Sequence, residues 1–162
     1  MSQLFYSTSG KLSNFNEPVG CWDVSSVITM DQMFRSATSF NQAISKWNVS
    51  RVTKMNSMFR GARKFNQTIE NWDVSRVTSM SYMFHGGTDF NQPIGNWDVS
   101  KVKYMGYMFK HATSFNQDLC AWYNELQRTT TFTEMFRFSS CANPEPPNFT
   151  AKSSFCQACK GR

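Results

Sequence analysis

No apolar run in the chain exceeds a few residues, so nothing in it reads as a transmembrane helix, which needs about 20. Met1 to Gly10 lack the basic and apolar regions of a signal peptide, which leaves a chain that follows a removed signal or one that was never secreted. Histidine is scarce, with two residues in 162. Neither His85 nor His111 shares a fixed spacing with an acid or a cysteine, so neither carries the signature of a metal ligand or an activated base, and both are expected as solvated surface positions. Carboxylates are in deficit, 11 against 17 Lys and Arg, for a net charge of +6. That excess favours anionic partners without identifying any. No acid, base and nucleophile converge, and no flat Thr-x-Thr ladder suggests ice binding. The expectation is therefore a protein that is not an enzyme and uses no cofactor and no metal.

What the chain does have is a repeat. Phe15, Phe40, Phe65, Phe90 and Phe115 fall 25 residues apart, as do Trp22, Trp47, Trp72, Trp97 and Trp122. A single unit of this size cannot bury its own apolar face, whereas stacked units bury a continuous core. Ile94, Trp97, Val99 and Val102 follow an L-x-x-L-x-L-x-x-V pattern, with Trp97 and Val99 alternating with Asp98 and Ser100 as in a half-buried strand. Met105, Met108, Phe109 and Ala112 then stand at i, i+3, i+4 and i+7, the apolar face of a short helix. The pattern predicts an α/β fold, a right-handed leucine-rich-repeat-like solenoid of about five to six coils with short parallel strands and short helices. Phe and Trp together number 20 and would dominate its core, with ten Met filling gaps between the rings.

The whole chain, 1–162, is expected to be one repeat domain. Residues 1–14 would cap its first coil, 15–122 carry the repeats, and 123–162 form a Cys-containing C-terminal cap. Four of the five cysteines, Cys120, Cys141, Cys156 and Cys159, lie at or after the last repeat and are disulfide candidates, which implies an oxidising compartment. Cys120 and Cys141 are 21 residues apart, close to one coil, and are candidates to pair with each other. Sequence does not choose among the three possible pairings. Cys21 takes the place of Lys46, Asn71 and Asn96, and is expected as an unpaired surface thiol.

Three further columns recur. Asn16, Asn41, Asn66, Asn91 and Asn116 follow the repeated Phe and predict a structural asparagine ladder, which would turn Asn66 inward and spoil it as a glycosylation acceptor. Asn48 and Asn148 are the better acceptors. Asp23, Asn48, Asp73 and Asp98 precede Ser25, Ser50, Ser75 and Ser100 by two. Asp73 and Asp98 could face a ligand, or simply make Asx turns. Finally, two basic columns stand out: Arg51, Arg76 and Lys101, and Arg35, Arg60, His85 and Lys110 with Arg137. Like charges about 5 Å apart repel by roughly 0.8 kcal/mol even in water, so folding does not benefit from them. Arg51, Arg76 and Lys101 are the leading ligand-facing candidates, for an anionic polysaccharide or an acidic protein surface. Duplication of one solvated residue is the alternative. Nucleic acid is not expected, because the aromatics occupy core positions and no binding motif is present.

The unit V-S-x-V-x-x-M-x-x-M-F-x-x-A-x-x-F-N-Q-x-I-x-x-W closely resembles the BspA-like leucine-rich-repeat family, whose repeats occur in bacterial surface lipoproteins and in proteins of marine microalgae. The resemblance covers roughly Phe15 to Trp122. The stretch from Asn116 through Met135-Phe136 to Cys141 and Phe155-Cys156 looks like the microalgal form of the cap. The resemblance implies an extracellular or cell-surface binding or adhesion protein without enzymatic activity. The alternative is a structural spacer or self-associating surface protein.

Overall fold

The computed structural model describes residues 13–145 and 155–157. Successive 25-residue units lie one on the next in register. The N–H groups of Met30, Gln32, Phe34 and Ser36 donate to the carbonyls of Lys54, Asn56, Met58 and Arg60 at 2.9, 2.8, 2.8 and 2.7 Å. The following units repeat this, as where Phe59 and Phe84 donate to Met83 and Met108 at 2.9 Å each. On the same edge, Thr29, Lys54, Ser79, Tyr104 and Thr131 are joined in turn by single parallel bridges.

Those bridges remain isolated, and this overturns the expected α/β solenoid of strands and helices. The one α-helix among the described residues, α1, is Trp122–Glu125, outside the Met-Phe segments where helices were expected. The reason lies in the backbone. Gln32, Ser57, Tyr82, Tyr107 and Glu134 all have positive φ, and so do Ser36, Gly61, Gly86, His111 and Phe138 four residues on. A left-handed residue between the two Met of a unit, or between Phe132 and Met135 in the last, breaks a right-handed helix at its first turn. The segment instead strings together tight turns, with the N–H groups of Met33, Arg35 and Ala37 donating to the carbonyls of Met30, Gln32 and Phe34 at 3.1–3.2 Å. The N–H groups between them are released to the next coil. The presumed strand at Trp97–Ser100 is a corner too: Asp98 Oδ1 accepts from the Ser100 N–H at 3.0 Å, and the Val102 N–H donates to the Val99 carbonyl at 2.9 Å. Extended pairing comes only afterwards, around Lys103 to Met105.

The core positions nevertheless fall where the pattern puts them. Met105, Met108, Phe109 and Ala112 are fully buried, as are Val99 and Val102. Phe34, Phe59, Phe84, Phe109 and Phe136 form one ladder of stacked rings with centroids 5.6–5.7 Å apart. Phe40, Phe65, Phe90 and Phe115 form a second, spaced 5.8–6.0 Å. The ladders touch ring to ring within each coil, at 3.9 Å for Phe34 and Phe40. Each stacked pair adds about 0.5–1.5 kcal/mol to the gain from burial. Beside them the indole N–H groups of Trp47, Trp72 and Trp97 donate to the carbonyls of Val19, Ile44 and Ile69 in the preceding coil at 3.1–3.2 Å. The α1 residue Trp122 breaks that series: it is fully buried, and its Nε1 has no hydrogen-bond partner among the described residues.

The asparagine ladder runs along another edge, and on the outside. Asn16, Asn41, Asn66 and Asn91 each accept, through Oδ1, the N–H of the next Asn at 2.8–3.0 Å. Asn66 is exposed rather than turned inward, though its Oδ1 also holds Gln92 Nε2 at 2.9 Å. Asn48 is exposed, and Asn148 lies outside the described residues. At the last coil Gln157 Nε2 donates to the Asn116 carbonyl at 2.7 Å, as Gln117 does to Asn91 at 2.9 Å. Phe155-Cys156-Gln157 thus does the work of the Phe-Asn-Gln of a further coil.

This docking decides the cysteine pairing. Cys141 is bonded to Cys156 and not to Cys120, which is disulfide-bonded as well. Cys159 and the first 12 residues of the expected N-terminal cap lie outside the described residues, while Cys21 is a free, exposed thiol as expected.

Candidate binding face

After the Val49 corner the chain turns, runs extended past Lys54, and enters the next set of turns. Of the residues facing outward on this bridged edge, some recur from coil to coil and others do not. Arg51, Arg76 and Lys101 are all exposed, as expected, and the structure adds Lys54, Lys103 and Tyr104 to them. Inward-facing Val52, Val77 and Val102 pin the backbone between these side chains. Thr53 and Thr78 turn their hydroxyls back onto the carbonyls of Ile28 and Thr53, at 3.1 Å each, which ties neighbouring coils together beneath the cations. Coils paired this way sit about 4.8 Å apart, so Arg51 to Lys101 spans about 10 Å. The ion pairs among the described residues are Lys64 with Asp89 and Glu134 with both Lys110 and Arg137. The bridged edge takes part in none of them.

The acidic column stands beside this edge. Asp23, Asp73 and Asp98 accept the N–H groups of Ser25, Ser75 and Ser100 at 2.9–3.1 Å, and Asn48 holds Ser50 at 3.2 Å. Hydrogen bonds from the serine hydroxyls, then from the serine N–H groups, hold Asp73 and Asp98 below the usual carboxylate value, with Arg76 and Lys101 contributing less. These carboxylates are ionised turn caps, each already committed to its own serine. Among the described residues no three of His, Cys, Asp or Glu cluster closely enough to hold a metal ion.

The second basic column is satisfied internally. Arg35 donates to Gln32 Oε1 at 2.7 Å. The Arg60 guanidinium lies over the Tyr82 ring at 5.0 Å, and Tyr82 stacks on Tyr107 at 4.7 Å. Lys110 and Arg137 share Glu134, and Arg137 also covers Phe138 at 4.8 Å. His85 sits half-buried among these groups, 5.6 Å from the His111 ring. Burial first, then the charges of Arg60, His111 and Lys110, hold His85 below the usual histidine value. A depressed histidine binds fewer protons folded than unfolded, so its contribution is intact above the unfolded value of about 6.5 and is lost as pH falls from there. Melting temperature should accordingly fall from about pH 7 to pH 5, and less so in His85→Gln. Identical slopes for the two proteins would show that His85 titrates as it would in water.

The columns present the two halves of the expected site differently. Arg51, Arg76 and Lys101 are brought together as an open row, whereas Arg35, Arg60, Lys110 and Arg137 are spent on neighbours. Lys54, Lys103 and Tyr104 escaped the sequence reading because they do not recur. The available signal was the variability itself: a position that takes Thr29, Lys54, Ser79 and Tyr104 in turn accepts side chains of very different size, unlike the Val and Met positions around it. No helix among the described residues is long and apolar enough to cross a membrane.

A family model described as "Mycoplasma protein of unknown function, DUF285" matches residues 1–73 and again residues 43–149. Two overlapping matches are what a repeated unit produces. No curated protein and no solved structure matches the chain.

Proposed function

Because the chain belongs to this family of unknown function, membership brings no activity with it, and we propose from the surface that it is a non-enzymatic binding module for an acidic partner. The partner is an anionic polysaccharide or an acidic protein surface, met outside the cell or at its surface in an adhesion-like role. The BspA-like resemblance with its microalgal form of cap belongs to this reading, and the Cys141–Cys156 disulfide supports the oxidising compartment. The carrying observation is the row Arg51, Arg76 and Lys101, exposed on successive coils and without an ion pair to any described residue. A linear polyanion meets several of these cations at once, so weak contacts sum to useful avidity.

Replacing the three by Gln should leave stability within about ±0.5 kcal/mol, since the sites are exposed. Binding to dextran sulfate should fall about tenfold or more, and binding by the parent should weaken sharply with salt, because exposed charges are screened within about 8–10 Å. A triple variant that binds every polyanion as the parent does would favour the alternative, a structural spacer whose cations were merely copied by duplication.

A further inference from the structure

We propose that the bridged edge is a site for a polyuronate, a polysaccharide with one carboxylate on each sugar, lying along the stack with Tyr104 as the platform for one sugar ring. This deepens the reading of the chain as a module for acidic partners and rests on it. Tyr104 is 54% exposed. Its surroundings differ from those of the other outward aromatics: Tyr82 and Tyr107 cover each other, and Phe138 lies between His111 at 4.8 Å and the Arg137 guanidinium. The Tyr104 ring has no ring or cation contact to any described residue, so its face is open. An open aromatic face offers negative quadrupole density to the C–H groups of a pyranose, while the phenolic hydroxyl remains at the rim for hydrogen bonding.

Tyr104 is bridged on one side to Ser79 and on the other to Thr131, both small residues, so its neighbours in the column are short. Lys101 and Lys103 flank it along the chain, and Lys54 stands two coils away in its own column.

The open ring together with the cations selects the polymer. Arg51, Arg76 and Lys101 supply one exposed cation per coil, about every 4.8 Å. A polyuronate brings both partners at once, a carboxylate on every sugar for the cations and a C–H face for the ring. An acidic peptide offers carboxylates alone and leaves the Tyr104 ring unused. Duplex DNA carries a charge about every 1.7 Å, too dense for this row. A single nucleic acid strand would need a ring for each base, and the Tyr104 column holds Thr29, Lys54, Ser79 and Thr131 at its other positions.

The test titrates the full chain with an oligogalacturonate, the same oligomer methyl-esterified, dextran sulfate, polyglutamate and single-stranded DNA at low salt. Serine already occupies the Tyr104 column at Ser79, so Tyr104→Ser is compatible with the fold, and unchanged melting confirms it. The expected result is binding of the oligogalacturonate but not of its ester, weakened about tenfold in Tyr104→Ser and kept in Tyr104→Phe, as for loss of a stacking ring at an open site. Polyglutamate binding should not change between Tyr104→Ser and the parent. Unaltered oligogalacturonate affinity in Tyr104→Ser overturns the polyuronate site, as does tighter binding of polyglutamate or DNA, and either leaves the acidic-partner reading standing. Failure of every polyanion to bind removes both.

Discussion

Trp97→Ala should cost about 3–5 kcal/mol in chemical denaturation, the range for truncating a large buried aromatic. Trp97 is 1% exposed, between fully buried Ile94 and Val99. Its indole N–H donates to the Ile69 carbonyl at 3.1 Å, so truncation opens a void and also leaves a buried carbonyl without that donor. Because each coil rests on the next, the loss should appear as a lower midpoint for the whole stack rather than as a frayed end. A loss below about 1 kcal/mol is what an exposed site gives, and it would contradict the inward register of the Trp column.

Cys156→Ser should cost about 2–4 kcal/mol, with about 3 expected for closing a loop of this length. The bonded pair, Cys141 and Cys156, is separated by 15 residues. The bond also holds Phe155, which is fully buried and meets Tyr123 and Phe132 edge-on at 6.3 and 6.1 Å. Hydrogen exchange should accelerate first at the last coil, where Gln157 covers Asn116, and leave the amides around Phe59 and Phe84 protected. A midpoint and exchange pattern identical to those of the oxidised parent would show that the cap holds without its covalent link.

The repeat, its core positions and the inward register of Trp97 and Val99 were legible because burial leaves a periodic apolar trace. Local conformation was not. Spacing at i, i+3, i+4 and i+7 records which side chains point inward, and a run of tight turns stacked on its copies buries the same positions as a helix does. The glycines Gly61 and Gly86 hinted at the left-handed corner, but His111 and Phe138 hold it as well, at φ of about 60°, and neither residue advertises it. In the same way Asp98-Val99-Ser100 carried a strand alternation and an Asx-turn signature at once, and the turn is what forms. The cysteine spacing misled because the chain passes one coil length before Phe155-Cys156-Gln157 returns to occupy the next Phe-Asn-Gln place. At the candidate site, the repeated cations were visible in the sequence. Which column was free could be known only once Gln32, Tyr82 and Glu134 were seen to occupy the other.

That difference between columns supplies the most direct measurement of the central claim. Two variants of equal charge change, Arg51, Arg76 and Lys101 to Gln and Arg35, Arg60 and Arg137 to Gln, are titrated in parallel with the same acidic polysaccharide at low salt. Binding should fall about tenfold or more in the first and stay within about threefold of the parent in the second, because only the first removes cations that the fold leaves open. Equal losses in the two variants would show that net charge alone attracts the polymer, and that the bridged edge is not a binding face.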